Sequence, residues 1–402
     1  MSNSHNTKSL KILYHHRTQG RGAEGVHITS IVNSLTALGH QVTVLSPPGI
    51  DPLSNAGNAP VDKSIVKTTG VNSLWKFISK NIPNFAFELI EIFYNIPSLL
   101  RLNKELSSSS YDLIYERYAF YMISGAFMAK RFQIPLVLEA NEVNGIKDRA
   151  RTQSFPSLCS KFERYLFKNC TSIHTVSSYL KEMIKKQAID EQKIEVVPNA
   201  IDPEKFSGDI DNSDLKEQLN IGESLVIGFA GWFDDWDRLD LLVDVFNTLL
   251  SRNIDLKLML IGDGVVLETV RQMAKKYGIE DKVILTGAVP RDKIQHYLSV
   301  LDLAVITHSN EFGSPVVMFE FMGLKIPIIA PRLLPITDVL EHNQTAIIFD
   351  TLHMTSLTDH IEQLSMNPEL QKKLSDNAYQ LLMTKHTWLQ NAQHIVDTSG
   401  IY

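Results

Sequence analysis

Cysteine is almost absent from this chain of 402 residues, which has only Cys159 and Cys170. Two cysteines make neither a disulfide framework nor a four-ligand zinc site. A reducing compartment is therefore expected, with both residues as small buried hydrophobes. Long apolar runs are missing as well. No stretch reaches the ~18 continuous apolar residues that a spanning helix needs. The opening Met1–His16 lacks the apolar core of a signal peptide. The expectation is a cytoplasmic protein, one that can touch a membrane face peripherally without crossing it. No basic run is interleaved with aromatics and the formal net charge is −6, which disfavours nucleic acid as a partner. What is present is ordinary for a folded chain: 44% hydrophobic and 21% charged residues exclude a disordered, collagen-like or coiled-coil protein. At ~150 residues per domain, the length predicts two or three domains.

Charge is unevenly spread. Residues 1–200 carry 23 Lys+Arg against 16 Asp+Glu, and residues 201–402 carry 16 against 29. Unequal halves arise by chance, but a basic half also suits anionic lipid or an anionic acceptor.

Short apolar runs alternate with helical patterns throughout. In the first half they are Leu10–His15, Gln41–Leu45, Asp112–Tyr115, Pro135–Glu139, Ser172–Thr175 and Glu195–Val197. In the second they are Leu225–Ala230, Leu256–Ile261, Val283–Thr286, Leu303–Ile306, Ile326–Ala330 and Ala346–Phe349. Alternation of this kind predicts α/β domains with parallel sheets covered on both faces. Residues 50–70 read as a polar excursion, 207–222 as a linker, and 353–398 as two or three amphipathic helices.

Ligands of open α/β sheets bind at the carboxyl ends of strands, where glycines allow close approach and helix N-termini favour anions. The first such loop is Thr18–Gly25, whose glycines Gly20, Gly22 and Gly25 do not fit GxGxxG; it reads as a loop lining a cleft. Gly262-Asp263-Gly264 is either a ligand-binding turn or only a turn with a helix cap. The richest segment is Asn310–Met322. There Gly313 and Ser314 would open a helix whose free amides suit a diphosphate, and Glu320 would sit among apolar neighbours, where vicinal ribose hydroxyls would satisfy it. A helix-capping box with one awkward glutamate is the plainer alternative.

Gly313-Ser314-Pro315, with Phe319-Glu320-Phe321-Met322 and Pro327, resembles the nucleotide-sugar helix of glycosyltransferase family 4. Tyr14-His15-His16, Thr175-Val176-Ser177, Val196–Asp202, Ile261–Gly264 and Leu285-Thr286-Gly287 agree with it in order, so the resemblance spans roughly residues 10–395. It implies the GT-B architecture, two Rossmann-like doubly wound domains facing a cleft. Residues 1–205 would bind the acceptor, with the C-terminal helix 385–402 packing back on them, and 206–384 would bind the nucleotide sugar. It implies transfer with retention of anomeric configuration and no cofactor or bound metal, the nucleotide-diphosphate sugar being substrate, although Mg²⁺ dependence stays open. The acceptor would be a glycan or lipid-linked glycan, in cell-surface or extracellular polysaccharide synthesis.

Carried over by position, the donor contacts are Gly231, Gly262, Asp263, Gly264, Gly287, Val289, Gly313, Ser314, Pro315, Val316 and Glu320. The acceptor contacts are His16, Gly22, Gly25 and Glu139. Glu320, Arg238, Asn141 and Glu142 are the catalytic candidates.

The sequence departs from the family in three places. The loop Gly231–Arg238, where an Arg and a Lys normally offset the leaving diphosphate, has only Arg238 as a base, behind three aspartates. Asp235 and Asp237 could pair on a metal or form a solvated, helix-capping turn. Position 312 is Phe where the first of two glutamates is usual, and Asn141 stands where a histidine is usual. Asparagine hydrogen-bonds a sugar but cannot shuttle a proton. These changes leave a second reading open, a catalytically degenerate relative that serves as a binding or scaffolding partner. A GT-B epimerase or phosphorylase fits less well.

Residues 71–101 are the most apolar and aromatic part of the chain, flanked by Lys76, Lys80, Arg101 and Lys104. Packing on the N-terminal sheet explains such a segment, and so does a bilayer surface, although Glu88 and Glu91 oppose the latter. The expectation taken forward is weak, reversible surface binding by the basic N-terminal half, with this segment contributing.

Overall fold

The computed structural model describes residues 9–20, 22–55, 83–146, 153–206 and 210–401. Most of the polar excursion and residues 71–82 of the aromatic segment lie outside the described residues. The chain forms two compact units, Met1–Val197 with Trp388–Tyr402, and Pro198–Thr387. The division falls at Val197 rather than after residue 205, because Ile201 and Phe206 are buried in the second unit's core.

The first unit holds a six-stranded sheet: β1 Lys11–His15, β2 Gln41–Leu45, β3 Leu113–Arg117, β4 Leu136–Ala140, β5 Ser172–Thr175 and β6 Ile194–Val196. The order is β2-β1-β3-β4-β5-β6, parallel throughout. Strands buried on both faces need continuous apolar runs. Ile12, Leu13 and Tyr14 in β1 and Leu136, Val137 and Leu138 in β4 meet that need, each essentially inaccessible.

The second unit repeats the design with β7 Leu225–Phe233, β8 Leu256–Gly264, β9 Val283–Leu285, β10 Leu303–Val305, β11 Ile328–Pro331 and β12 Ile347–Phe349. Its order is β12-β11-β10-β7-β8-β9, again parallel. β7 and β8 run past their apolar stretches, pairing Gly231 with Gly262, Trp232 with Asp263 and Phe233 with Gly264. A Cβ on Gly262 would lie 1.9 Å from the Gly231 carbonyl oxygen, and one on Gly264 would lie 2.4 Å from that of Phe233. Gly262-Asp263-Gly264 is therefore the end of a strand and not a turn, and close strand approach demands its glycines.

Three helices end the chain: Met354–Ser365, Pro368–Lys385 and Trp388–Asp397. The last belongs to the first unit, where its Trp388 ring meets His27 edge-on at 4.7 Å. Cys159 and Cys170 are buried and form no disulfide. Among the described residues no helix is long and apolar enough to cross a membrane.

Several polar groups inside the first unit are paired with one another. His15 Nδ1 meets Glu116 Oε2 at 2.5 Å in a fully buried pair, and the other ring nitrogen contacts Ser98 Oγ at 3.2 Å. Gly125 makes room for that carboxylate, since a Cβ there would lie 1.8 Å from Glu116 Oε2. Gly125→Ala is expected to displace Glu116 and destabilise the fold by about 1–3 kcal/mol despite the gain in helix propensity. Urea denaturation that shows equal or higher stability would contradict this packing.

Candidate active site

β10 leads through Asn310–Pro315 into the helix Val316–Gly323, and side chains on both flanks fix this loop. Asn310 Oδ1 accepts from the Gly313 amide at 2.5 Å and the Phe312 amide at 3.2 Å. From the other side the Asn199 amide donates to Ser314 Oγ at 3.1 Å, and Asn199 Nδ2 donates to the Ser314 carbonyl at 2.7 Å. Pro315, with φ −65°, precedes the first helical residue. The helix thus starts at Val316, later than Gly313. The Gly313 amide is already used and proline has none, so the anion donors on hand are the Ser314 amide and the first-turn amides of Val316 and Val317, which lack intrahelical partners.

An open pocket of about 500 Å³ lies at the carboxyl ends of β7 and β10 beside this loop, lined by Gly231, Trp232, Trp236, Asp237, His308 and Pro315 among others. No Lys or Arg is among its lining residues. Arg238, expected to offset phosphate charge here, is held instead by Asp240, with Nε to Oδ1 at 3.0 Å and Nη2 to Oδ2 at 2.9 Å. Its charge is met two residues along the chain before any phosphate arrives, which corrects the expectation that it is available. Asp234 and Asp237 cap the 3-10 turn Asp235–Asp237 reciprocally, the Asp234 amide donating to Asp237 Oδ2 at 2.9 Å. Burial pushes the Asp237 carboxyl up to about 7, with Asp234 adding to the rise and the amide hydrogen bond opposing it. Among the described residues no cluster of His, Cys, Asp or Glu is built to hold a metal. His308 Nδ1 donates to the Trp236 carbonyl at 2.9 Å, which defines the protonated ring nitrogen.

Glu320 lies on the same helix at 2% exposure, between Phe319 and Phe321. Burial raises its pKa, and the Arg291 guanidinium beside it pulls the other way. Arg291 pairs with Glu320 Oε1, and this buried carboxylate lies outside the lining residues of that pocket, on the helix whose first turn borders it.

The other donor candidates gather at the neighbouring strand ends, outside that pocket's lining. The Gly262 amide donates to Thr286 Oγ1 at 3.3 Å, Gly262 bridges to Gly287, and Asp263 Oδ1 accepts from the Gly264 amide at 2.7 Å. Val289 packs against the second unit's core.

In the first unit, the acceptor candidates are more internal than expected. Glu139 is a buried hub that accepts from Tyr115 at 2.9 Å, from Tyr14 at 3.4 Å, and from Arg117 and Asn141. Burial alone would raise its pKa, but Arg117, then His27 and these hydrogen bonds, bring it down to about 2. A carboxylate so fully used holds β1, β3 and β4 together and does not greet a substrate. Asn141 is committed to it. His16 is buried, with Nε2 on Ser46 Oγ at 2.8 Å, and burial, reinforced by His15 and Arg117, lowers its pKa to about 4. Gly25 is required by the Gly20 carbonyl, 2.4 Å from where its Cβ would be, and Gly22 begins the helix Gly22–Ala37. Glu142 is partly exposed.

Sequence reasoning missed Arg291 and His308, which no motif marks. Asn199 was visible within Val196–Asp202, but its work on Ser314 needs the fold.

Known proteins resemble the chain along nearly all its length. Residues 24–205 match the family model Glycosyltransferase Family 4, and residues 211–381 match the model Glycosyl transferases group 1. N-acetyl-alpha-D-glucosaminyl L-malate synthase of Bacillus anthracis is 26% identical over 318 residues, 75% of this chain and 80% of that protein. An Escherichia coli UDP-Gal:alpha-D-GlcNAc-diphosphoundecaprenol alpha-1,3-galactosyltransferase is 24% identical over 254 residues, 61% of this chain and 64% of that one. Among solved structures, Anabaena Alr3699/HepE in complex with UDP superposes with TM-score 0.72 at 15% identity, over 97% of this chain and 99% of that chain.

The Asp237 carboxyl gives a test of the pocket's electrostatics. Its folded pKa of about 7 stands above the ordinary 3.8. The stability it contributes is therefore complete below the unfolded value and is lost as pH rises through about 7. Asp237→Asn keeps an acceptor for the Asp234 amide and abolishes the titration. The variant is expected to be about 2–4 kcal/mol more stable than the parent at pH 8.5, the gap closing towards pH 4. Calorimetric melts that show a gap independent of pH would mean Asp237 is ionised in the fold.

Proposed function

Given that the chain belongs to glycosyltransferase family 4 and is a glycosyltransferase of GT-B fold, we propose that it moves a sugar, with retention of configuration, from a nucleotide-diphosphate sugar to a lipid-linked glycan at the cytoplasmic face of a membrane, in cell-surface or extracellular polysaccharide synthesis. The observation that carries the reading is Glu320, a buried carboxylate paired with Arg291 alone among the described charged groups, on a helix whose first-turn amides lack intrahelical partners and suit phosphate. Two vicinal hydroxyls of a ribose supply further donors that such a carboxylate can accept. As the sugar leaves, negative charge grows on the diphosphate. With no Lys or Arg among the pocket's lining residues, the Ser314, Val316 and Val317 amides are the donors that meet it. On the acceptor side the proposed contacts are Glu142 and the loop around Gly22. Relatives and neighbours support the class: one acts, by its name, on a diphosphoundecaprenol-linked sugar, and another was solved with UDP.

The membrane component draws on the helices Asn84–Phe93 and Asn95–Ser108. Tyr94 joins them in the right-handed helical region, so the path is nearly continuous. Phe85, Leu89, Phe93, Ile96 and Leu100, three or four residues apart, are all exposed, Leu100 at 68%. The two acidic residues that oppose lipid contact are both accounted for. Glu88 is buried, accepting from Tyr121, the Ser154 amide and the Phe155 amide, and Glu91 pairs with Arg17 at 2.7 Å. An apolar stripe on the basic half of the chain suits an anionic bilayer.

A screen of UDP-, GDP- and ADP-sugars for thermal stabilisation and hydrolysis tests the donor reading. One donor is expected to stabilise the protein and turn over, and Glu320→Ala is expected to remove most of that affinity and turnover with the fold intact. Binding without turnover would mark a degenerate enzyme; unchanged affinity and turnover in the variant would remove Glu320 from the site. Co-sedimentation with liposomes tests the surface. The protein is expected to pellet with anionic vesicles at low salt and to lose this on Phe93→Glu with Leu100→Glu, whereas equal recovery in the supernatant with neutral and anionic vesicles rules the role out.

A further inference from the structure

Glu320 faces a difficulty that its proposed role makes acute. A carboxyl group accepts hydrogen bonds from two ribose hydroxyls most strongly while ionised, and burial at 2% exposure favours the protonated form. Of the charged and titratable groups around its helix, Lys325 pairs with Asp376 at the far end and stacks on Tyr379. His386, at the end of the helix Pro368–Lys385, packs on the Phe319 ring at 5.5 Å and is kept neutral by burial, its pKa brought down to about 4. Arg291, from the loop after β9, is the one charged group acting on Glu320 among the described residues.

Arg291 is also held in place. Its guanidinium lies over the Phe206 ring at 5.2 Å. Phe206 is in turn fixed against the helix that carries Glu320, for a Cβ on Gly323 would lie 2.7 Å from the Phe206 carbonyl oxygen. One ring thus sets both the cation and the helix. The guanidinium pairs with Oε1 and so favours the charged form of the carboxyl.

We propose that Arg291 is a positioning residue for the donor: seated on the Phe206 ring, its guanidinium pairs with Glu320 and favours the carboxylate that receives the ribose hydroxyls of the nucleotide. The inference rests on Glu320 being the ribose contact. It assigns Arg291 no contact with the diphosphate.

The test compares affinity for UDP, GDP or ADP, whichever binds tightest, with its 2′-deoxy counterpart, from pH 5.5 to 8.5. The parent protein is expected to prefer the ribonucleotide on the order of tenfold or more across this range, the worth of a hydrogen bond to a charged group. Arg291→Gln is expected to lose that preference at the acidic end and regain it as pH rises, because its Glu320 is protonated at low pH and ionised at high pH. Arg291→Lys is expected to restore most of the acid-side preference, and melting temperatures establish that both variants are folded. A parent that binds the two nucleotides equally overturns the ribose role of Glu320, and that of Arg291 with it. A parent that discriminates, alongside an Arg291→Gln profile that parallels it, overturns Arg291 alone.

Discussion

Burying a carboxylate among phenylalanines is unfavourable unless something on the spot compensates for lost water. Glu320 imposes that condition on the whole second unit. Its helix must begin where Asn199 and Asn310 pin the preceding loop, its far end must carry Gly323 so that Phe206 can come close, and Phe206 must support the cation that faces Oε1. Remove the carboxylate and these constraints have no evident purpose, since an apolar side chain at position 320 would complete the core with less trouble. The site is best understood as the set of conditions under which one charged group survives in a dry place.

The first unit solves the same problem in the opposite way. Glu139 and Glu116 are as deeply buried as Glu320, but their partners come from the protein: Arg117, Asn141 and two tyrosines for the former, His15 for the latter. Glu139 is saturated by donors from β1, β3 and the end of β4 and so ties the strands together, whereas Glu116 meets His15 and keeps its other oxygen without a hydrogen-bond partner among the described residues.

All twelve strands were legible because parallel strands covered on both faces must be written as apolar runs, as in Leu136-Val137-Leu138 and Leu258-Met259-Leu260. The segment around Gly313 and Glu320 was legible because its residue types are unusual for a buried helix. What was not legible depends on distances between residues far apart in the chain or on a local choice of partner. Arg238 looked available because sequence shows charge without showing that Asp240 takes both of its donors. Glu139 reads in the sequence as an acceptor contact at a strand end, and its pairing with Arg117 from β3 is visible only in the fold. Arg291 has no signature, since an arginine after Val289-Pro290 is ordinary until the fold lays it over Phe206.

The return of Trp388–Tyr402 to the first unit has a consequence for how the protein is made. Asn391 and Ile395 wall the small cavity beside Glu139, and Thr398 bonds the buried His174 at 2.8 Å. These groups are synthesised after the whole of the second unit. The first unit is therefore completed only once the second has its entire sequence to hand. Vectorial synthesis ordinarily lets an N-terminal domain close before its successor emerges. Here one flank of the first unit's sheet stays uncovered until the second unit has been synthesised, and loss of Trp388–Tyr402 would open the cavity beside Glu139 and unpair His174 from Thr398.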